Sequence, residues 1–316
     1  MAPVAPSPQL QAVAFVPHRP WHARLRRVAR QKPLGTFGAV ILFIFGVAAL
    51  FGTDFNIAGA TIVPGFSPYA PQTTEISNKR KAPTLDHPFG TDDLGRDVFS
   101  RVVSGARAAM IIGFAATGLG LLAGTIVGMV CAYAGGRADL IIQRVMDGIM
   151  SLPPLILLLV LVTVLEPSQL TVILVLIVLI TPAASRVIRG STLVIKELTY
   201  VEAAKSSGAT PTRIMWRHIF PNVVAPILVL ASVLIGATIT TEAALSFLGL
   251  GAHSAEHPTW GFMLNEAVAR GSLAKLWWLS IMPGVAITLT VLAFNLLGDA
   301  LRDVLDPRLR GTGAGA

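Results

Sequence analysis

The sequence is short of charge and almost devoid of cysteine. Lysine, arginine, aspartate and glutamate make up 13% of its 316 residues, about half the share of an ordinary soluble domain. With 53% apolar residues and so little charge to cover a surface, the chain is read as a polytopic membrane protein. Cys131 is the only cysteine, which excludes an intrachain disulfide and any cysteine-based metal cluster. It falls in a membrane run and is read as inert. No Ser-His-Asp or Cys-His pairing can be defended, so no catalytic residue is assigned. A phosphate loop is missing as well, because Gly118-Leu119-Gly120 lies inside an apolar run and not at a strand-to-helix junction. The chain is therefore expected to hydrolyse no ATP by itself.

What is abundant is long apolar runs, and six of them suit membrane helices, which need about 20 residues each. Residues 1–33 form a basic, proline-rich tail without the apolar core of a short signal sequence. Residues 34–52 are the first span. An external loop follows over 53–107, closing with an amphipathic helix through Leu94, Val98 and Val102. There Thr91 or Asp92 is expected to cap the helix, with Arg96 and Asp97 pairing locally. The core domain is placed at 108–301. Its first span, 108–134, repeats Ala116, Gly120, Gly124, Gly128 and Ala132 every four residues, a stripe that lets another helix approach closely. A basic loop over 135–144 leads to a span over 145–165, and Glu166-Pro167-Ser168 turns the chain into a fourth span over 170–184. A fifth covers 222–249, an external loop 252–275, and a sixth 279–301, with Trp277 and Trp278 at its outer interface. Residues 302–316 form the C-terminal tail.

The net charge of +8 would suit nucleic acid if it lay on one soluble face, but its placement follows membrane topology. Seventeen basic residues lie in the tails, in 135–144 and between Arg186 and Arg217, against eight in the external loops. That asymmetry puts both termini in the cytoplasm, and no nucleic-acid partner is expected.

Four features bear on function. Pro153 and Pro154 break helix regularity inside a span, which suits a helix facing a pathway or a simple kink. Glu242 is an acid within an apolar run, either functional or hydrogen-bonded to a neighbouring helix. His253, Glu256 and His257 resemble a metal set, but Pro258 disfavours a continuing helix and no further ligand is near, so no metal site is assigned.

The fourth feature is the charged segment 196–221 between the fourth and fifth spans. Good helix formers run over 192–207, Gly208 suits a left-handed end, and Thr210-Pro211 caps and restarts a helix that Pro221 is expected to close. Ala203 and Ala204 leave little bulk beside Glu202, the shape of a docking knob. Glu202-Ala203-Ala204, then Gly208, then His218-Ile219-Phe220-Pro221 resembles the EAA loop of bacterial ABC importer permeases. His218 and Phe220 depart from that family's usual Ile-x-Leu-Pro ending. Residues 87–101, HPFGTDDLGRDVFSR, and 242–251, EAALSFLGLG, resemble the dipeptide, oligopeptide and nickel branch, and the former its second, C-type permease subunit.

The resemblance covers residues 34–310 and implies an all-α fold of six transmembrane helices, the type I importer permease fold, with a cytoplasmic EAA-loop coupling helix. It implies a permease subunit forming half of the pathway for peptides or a related small solute such as nickel. The implied partners are a second homologous permease subunit, two ATP-binding subunits that use the ATP, an extracytoplasmic substrate-binding protein and the bilayer of the bacterial inner membrane. In that setting Glu202, Ala203, Ala204, Gly208 and Pro221 couple to the ATPase, and this chain binds no cofactor. Two rivals stay open here: a secondary transporter or channel using Glu242, and a membrane scaffold for a cytoplasmic partner.

Overall fold

The structure, a computed structural model, describes residues 32–52, 55–57, 60–63, 65–251, 257–271 and 275–305. Nearly all of the first tail, the end of the second, His253 and Glu256 lie outside the described residues. Among those described, five helices are long and apolar enough to cross a membrane, and a sixth crossing exists if one bent pair counts as a span.

The first long helix, α1, is Pro33–Phe51, and a two-stranded antiparallel ribbon, β1 (Phe55–Ile57) and β2 (Ala60–Val63), follows it. The ribbon is an addition to the all-α expectation. Next, α2 runs unbroken over Val98–Ala134, so the boundary expected at residue 107 falls inside a helix. At 37 residues it is about 55 Å long, well beyond a bilayer's hydrocarbon thickness. Leu94 precedes this helix and takes no part in its apolar face.

The expected basic loop over 135–144 is helical. Gly135 and Gly136, both at positive φ, turn the chain directly into α3 (Gly136–Met150). Ser151, Leu152 and Pro153 then separate α3 from α4 (Pro154–Leu165), and the two are bent by 87°. The break has a local cause: Pro154 lacks the amide donor a continuous helix would use, and it disfavours helical backbone at Pro153.

α5 (Gln169–Lys196) opens on Ser168, whose hydroxyl accepts from the Thr171 amide, and extends twelve residues beyond its expected end at 184. It packs along the small-residue stripe of α2. A Cβ added at Gly120 would come 2.8 Å from Ile180, and one at Gly124 would come 2.5 Å from the Ala184 Cβ. The short helices α6 (Thr199–Ser206) and α7 (Pro211–Ile214) lead through a π turn, Met215–Ile219, into α8 (Phe220–Phe247). The loop expected over 252–275 contains a helix, α9 (Trp260–Ala269), and α10 (Trp278–Leu305) completes the bundle.

Three apolar clusters fill the interior. One joins α2, α8, α9 and α10 around Trp260 and Trp278. Another joins α2, α4, α5 and α8 around Leu158 and Val172. The third lies at the other end of the bundle and carries the docking segment.

Candidate functional site

The docking segment begins where α5 stops. The helix expected over 192–207 is two helices, because the chain leaves helical geometry at Glu197 and Leu198 before α6. At the end of α6, Gly208 adopts φ +78°. Its amide donates to the Lys205 carbonyl at 3.0 Å, and the Ala209 amide donates to the Ala204 carbonyl at 3.1 Å. This paired pattern satisfies carbonyls that a helix end would otherwise leave free. The Thr210 hydroxyl then accepts from the Arg213 amide and starts α7, with Pro211 in its first turn.

Two buried side chains root this segment. Val201 on α6 and Ile214 on α7 enter the third apolar cluster beside Met129 of α2, Ile188 and Ile195 of α5, and Val223 of α8. Glu202 and Ala203 of α6 are exposed, with Ala204 partly covered. A carboxylate stands free for a partner beside two methyl groups that keep the helix surface low.

Pro221 does not end the segment as expected. It occupies the first turn of α8, which continues through it. The π turn just before it widens the helix, with the Phe220 amide reaching back to the Met215 carbonyl. A widened turn absorbs the ring and the missing donor that would break an ordinary α-helix.

The three expected pathway residues are not brought together. Pro153 and Pro154 form the break between α3 and α4, where some of the backbone groups are met locally. The Ser151 amide donates to the Asp147 and Gly148 carbonyls, and the Ile156 and Leu157 amides donate to that of Pro153. Glu242 lies on α8, 3% exposed, and accepts from the Ser246 hydroxyl at 2.6 Å. A Cβ on Gly251 would collide with that hydroxyl, so the chain folds closely over the buried acid. Neither large apolar cavity along α1, of about 830 Å³ and 420 Å³, is lined by any of the three.

A second constellation escaped the sequence reading. Asp97, not Thr91 or Asp92, caps α2: its carboxylate accepts from the Ser100 amide and hydroxyl, each at 2.7 Å, and from His87 Nδ1 at 2.9 Å. Arg96 pairs instead with Asp92 at 2.6 Å and with Glu266 of α9 at 2.8 Å. Burial opposes its charge, but the hydrogen bond to Glu266 and the Asp92 carboxylate outweigh that and hold its pKa above the ordinary value. Arg101 and Arg270 also donate to Glu266, at 2.5 and 2.9 Å. Trp278, expected at an interface, is buried and donates to the Thr91 carbonyl at 3.1 Å, while Trp277 stays exposed. Ser100, Asp97 and His87 make no hydrolytic triad, because the serine and the histidine both bond to the aspartate. The arrangement clamps the loop before α2 onto α9 and α10.

The bundle with its rooted helical knob has the architecture of an ABC transporter membrane subunit. The fold resembles two inward-facing forms of the MetNI methionine ABC transporter. One gives a TM-score of 0.54 at 18% identity, covering 65% of this chain and 96% of that one. The other gives 0.56 at 17% identity, with coverage of 66% and 97%. Residues 120–311 match the family described as binding-protein-dependent transport system inner membrane component.

The chain belongs to that family, and it is a multi-pass permease subunit of an ABC importer. Among its relatives are glutathione transport system permease proteins of Pectobacterium atrosepticum, 39% identical over 292 residues, and of an Escherichia coli strain, 40% identical over 293 residues. Each match covers 92% of both chains. A putative peptide transport system permease protein of Brucella suis is 38% identical over 288 residues, covering 91% of this chain and 92% of that one.

Proposed function

We propose that this chain forms half of the membrane pathway of an importer for short peptides. It pairs with a second, homologous permease subunit, two ATP-binding subunits and an extracytoplasmic binding protein. The names of the glutathione and peptide relatives support this cargo class. Both termini and the segment 196–221 lie in the cytoplasm. ATP is used by the partner subunits, and this chain binds no cofactor.

The observation that carries the reading is the two-sided docking segment. Val201 and Ile214 bury into the ends of α2, α5 and α8, while Glu202 stands exposed next to them. When the ATPase pair closes on ATP, Glu202 anchors the contact by charge and Ala203 and Ala204 permit close approach. Gly208 holds the corner, and the turn before Pro221 links the knob to α8. Movement then reaches the spans through the shared apolar core. Pro153 and Pro154 give the α3–α4 segment its break beside the pathway, and Glu242 secures the outer part of α8.

The test is purification in mild detergent from native cells, with Glu202→Arg alongside. Expected are an ATPase and a second permease with the wild-type chain, and loss of the ATPase alone from the variant. A wild-type chain that transports with no ATPase attached would overturn the proposal. The ligand retained by the cognate binding protein then identifies the cargo, and anything other than a peptide corrects that part.

A further inference from the structure

α3 is amphipathic with its polar side turned inward. None of its residues is buried, and Leu140, Ile141 and Val145 are exposed. Asp139, Gln143 and Asp147 recur every four residues and so share one face, which meets α5. The Asp139 carboxylate accepts two bonds from Arg189, from Nε at 2.7 Å and Nη2 at 2.5 Å. Asp147 accepts one from Arg186 at 2.5 Å. The first pair is the better shielded, at 32% and 13% exposure against 56% and 44% for the second.

Arg189 is held firmly from behind. A Cβ on Gly128 of α2 would come 3.0 Å from its backbone nitrogen, so α2 and α5 are in close contact where it emerges. One residue earlier, Ile188 belongs to the cluster that roots Val201 and Ile214. The docking segment, α5, the arginine pair and α3 are thus joined in series, and α3 ends at the 87° break before α4.

We propose that the Asp139–Arg189 pair, seconded by Asp147–Arg186, is a coupling tie that passes displacement of the docking segment from α5 to the broken segment α3–α4. A guanidinium fork on a carboxylate fixes both distance and orientation, a hold that α3, with none of its residues in the apolar core, does not get from packing. α3 has no buried residue of its own, so these bonds are its directional hold on α5. Both members act through other groups and are positioning residues. The inference rests on the importer reading above.

The test uses the complete complex in proteoliposomes, with peptide uptake and ATP hydrolysis measured on the same preparation. Asp139→Asn and Arg189→Gln are expected to keep ATP hydrolysis within about twofold of wild type while uptake per ATP falls about fivefold or more, the low end of ordinary coupling between sites. The reversed pair, Asp139→Arg with Arg189→Asp, is expected to recover much of the lost coupling, which a merely structural role does not require. Single variants with wild-type uptake per ATP, or a reversed pair as poor as the singles, overturn the tie.

A second form guards against variants that fail to assemble. In a Cys131→Ala background, Asp139→Cys and Arg189→Cys are joined by a short cleavable thiol crosslinker, and coupling is read before and after cleavage of one sample. A drop on cleavage supports the tie, and no change overturns it. A wild-type complex that neither hydrolyses ATP nor imports overturns the importer reading itself, and the tie with it. A coupled wild type with an indifferent crosslink overturns the tie alone.

Discussion

Gly118 and Gly124 lie six residues apart on α2 and have opposite surroundings. A Cβ at Gly118 meets nothing within 4 Å, whereas one at Gly124 meets Ala184 Cβ at 2.5 Å and the Thr181 carbonyl at 2.9 Å. Gly124→Val forces α2 and α5 apart, at a cost of about 1–3 kcal/mol for overpacking. Gly118→Ala removes a helix-weakening glycine at no steric cost, worth up to about 1 kcal/mol. Thermal unfolding in detergent checks both: a lower midpoint for the first, and an unchanged or higher one for the second. The stripe itself was legible, because recurrence every four residues marks one helix face. Which helix lies against it was not, since Ile180 and Ala184 are distant in sequence. Gly208→Ala tests backbone and not space: nothing crowds a Cβ there, yet φ is +78°. A left-handed alanine costs about 1–2 kcal/mol, so faster amide exchange over α6 is expected, with the rest of the bundle unchanged.

The apolar runs marked where helices lie but not where they stop. α2 begins ten residues before its apolar run and α5 continues twelve past its own, because the polar residues there find partners on other helices: Arg101 on Glu266, and Arg186 and Arg189 on Asp147 and Asp139. Pro221 was misread for a related reason, since a π turn is a local solution that no composition rule announces. The charge clamp was illegible in a different way. Arg96 has acidic neighbours in sequence, and only the fold shows that its other partner is Glu266, 170 residues away. Its weight is testable at the level of the element. Glu266→Leu leaves Arg96 and Arg101 short of a carboxylate in a buried setting, and removing one partner of a buried pair costs about 3–5 kcal/mol. Limited proteolysis within 65–97 is expected to accelerate markedly. Asp97→Ala, which removes the cap on α2 at about 1 kcal/mol and also the bond from His87 at about 1 kcal/mol more, is expected to accelerate it less. Equal effects from the two variants would contradict the clamp as described.

The path of the whole chain through the bilayer turns on the bent pair. α4 has 12 residues, about 18 Å of helix against a hydrocarbon core of about 30 Å, so it cannot cross alone. Some backbone groups at the break are paired, among them the Ser151, Ile156 and Leu157 amides, and in a discontinuous span within the membrane protein or water satisfies the rest. Parity decides whether α3 and α4 together cross. If they do, residues 166–168 lie on the side of the long loop before α2, and α5 returns the docking segment to the side of Gly135. If they turn back, α5 carries Arg186, Arg189, Lys196 and the whole docking segment to the outer face, against the rule that basic residues stay inside. Single cysteines in a Cys131→Ala background distinguish the two with an impermeant thiol reagent on intact cells. Leu85→Cys, itself fully exposed in the loop before α2, serves as the outer-face marker under the proposed topology. Pro167→Cys is expected to label with it, while Arg137→Cys and Ser206→Cys label only after permeabilisation. The reverse at Pro167 and Ser206 would make α3–α4 re-entrant and place Glu202 where no cytoplasmic ATPase could reach it.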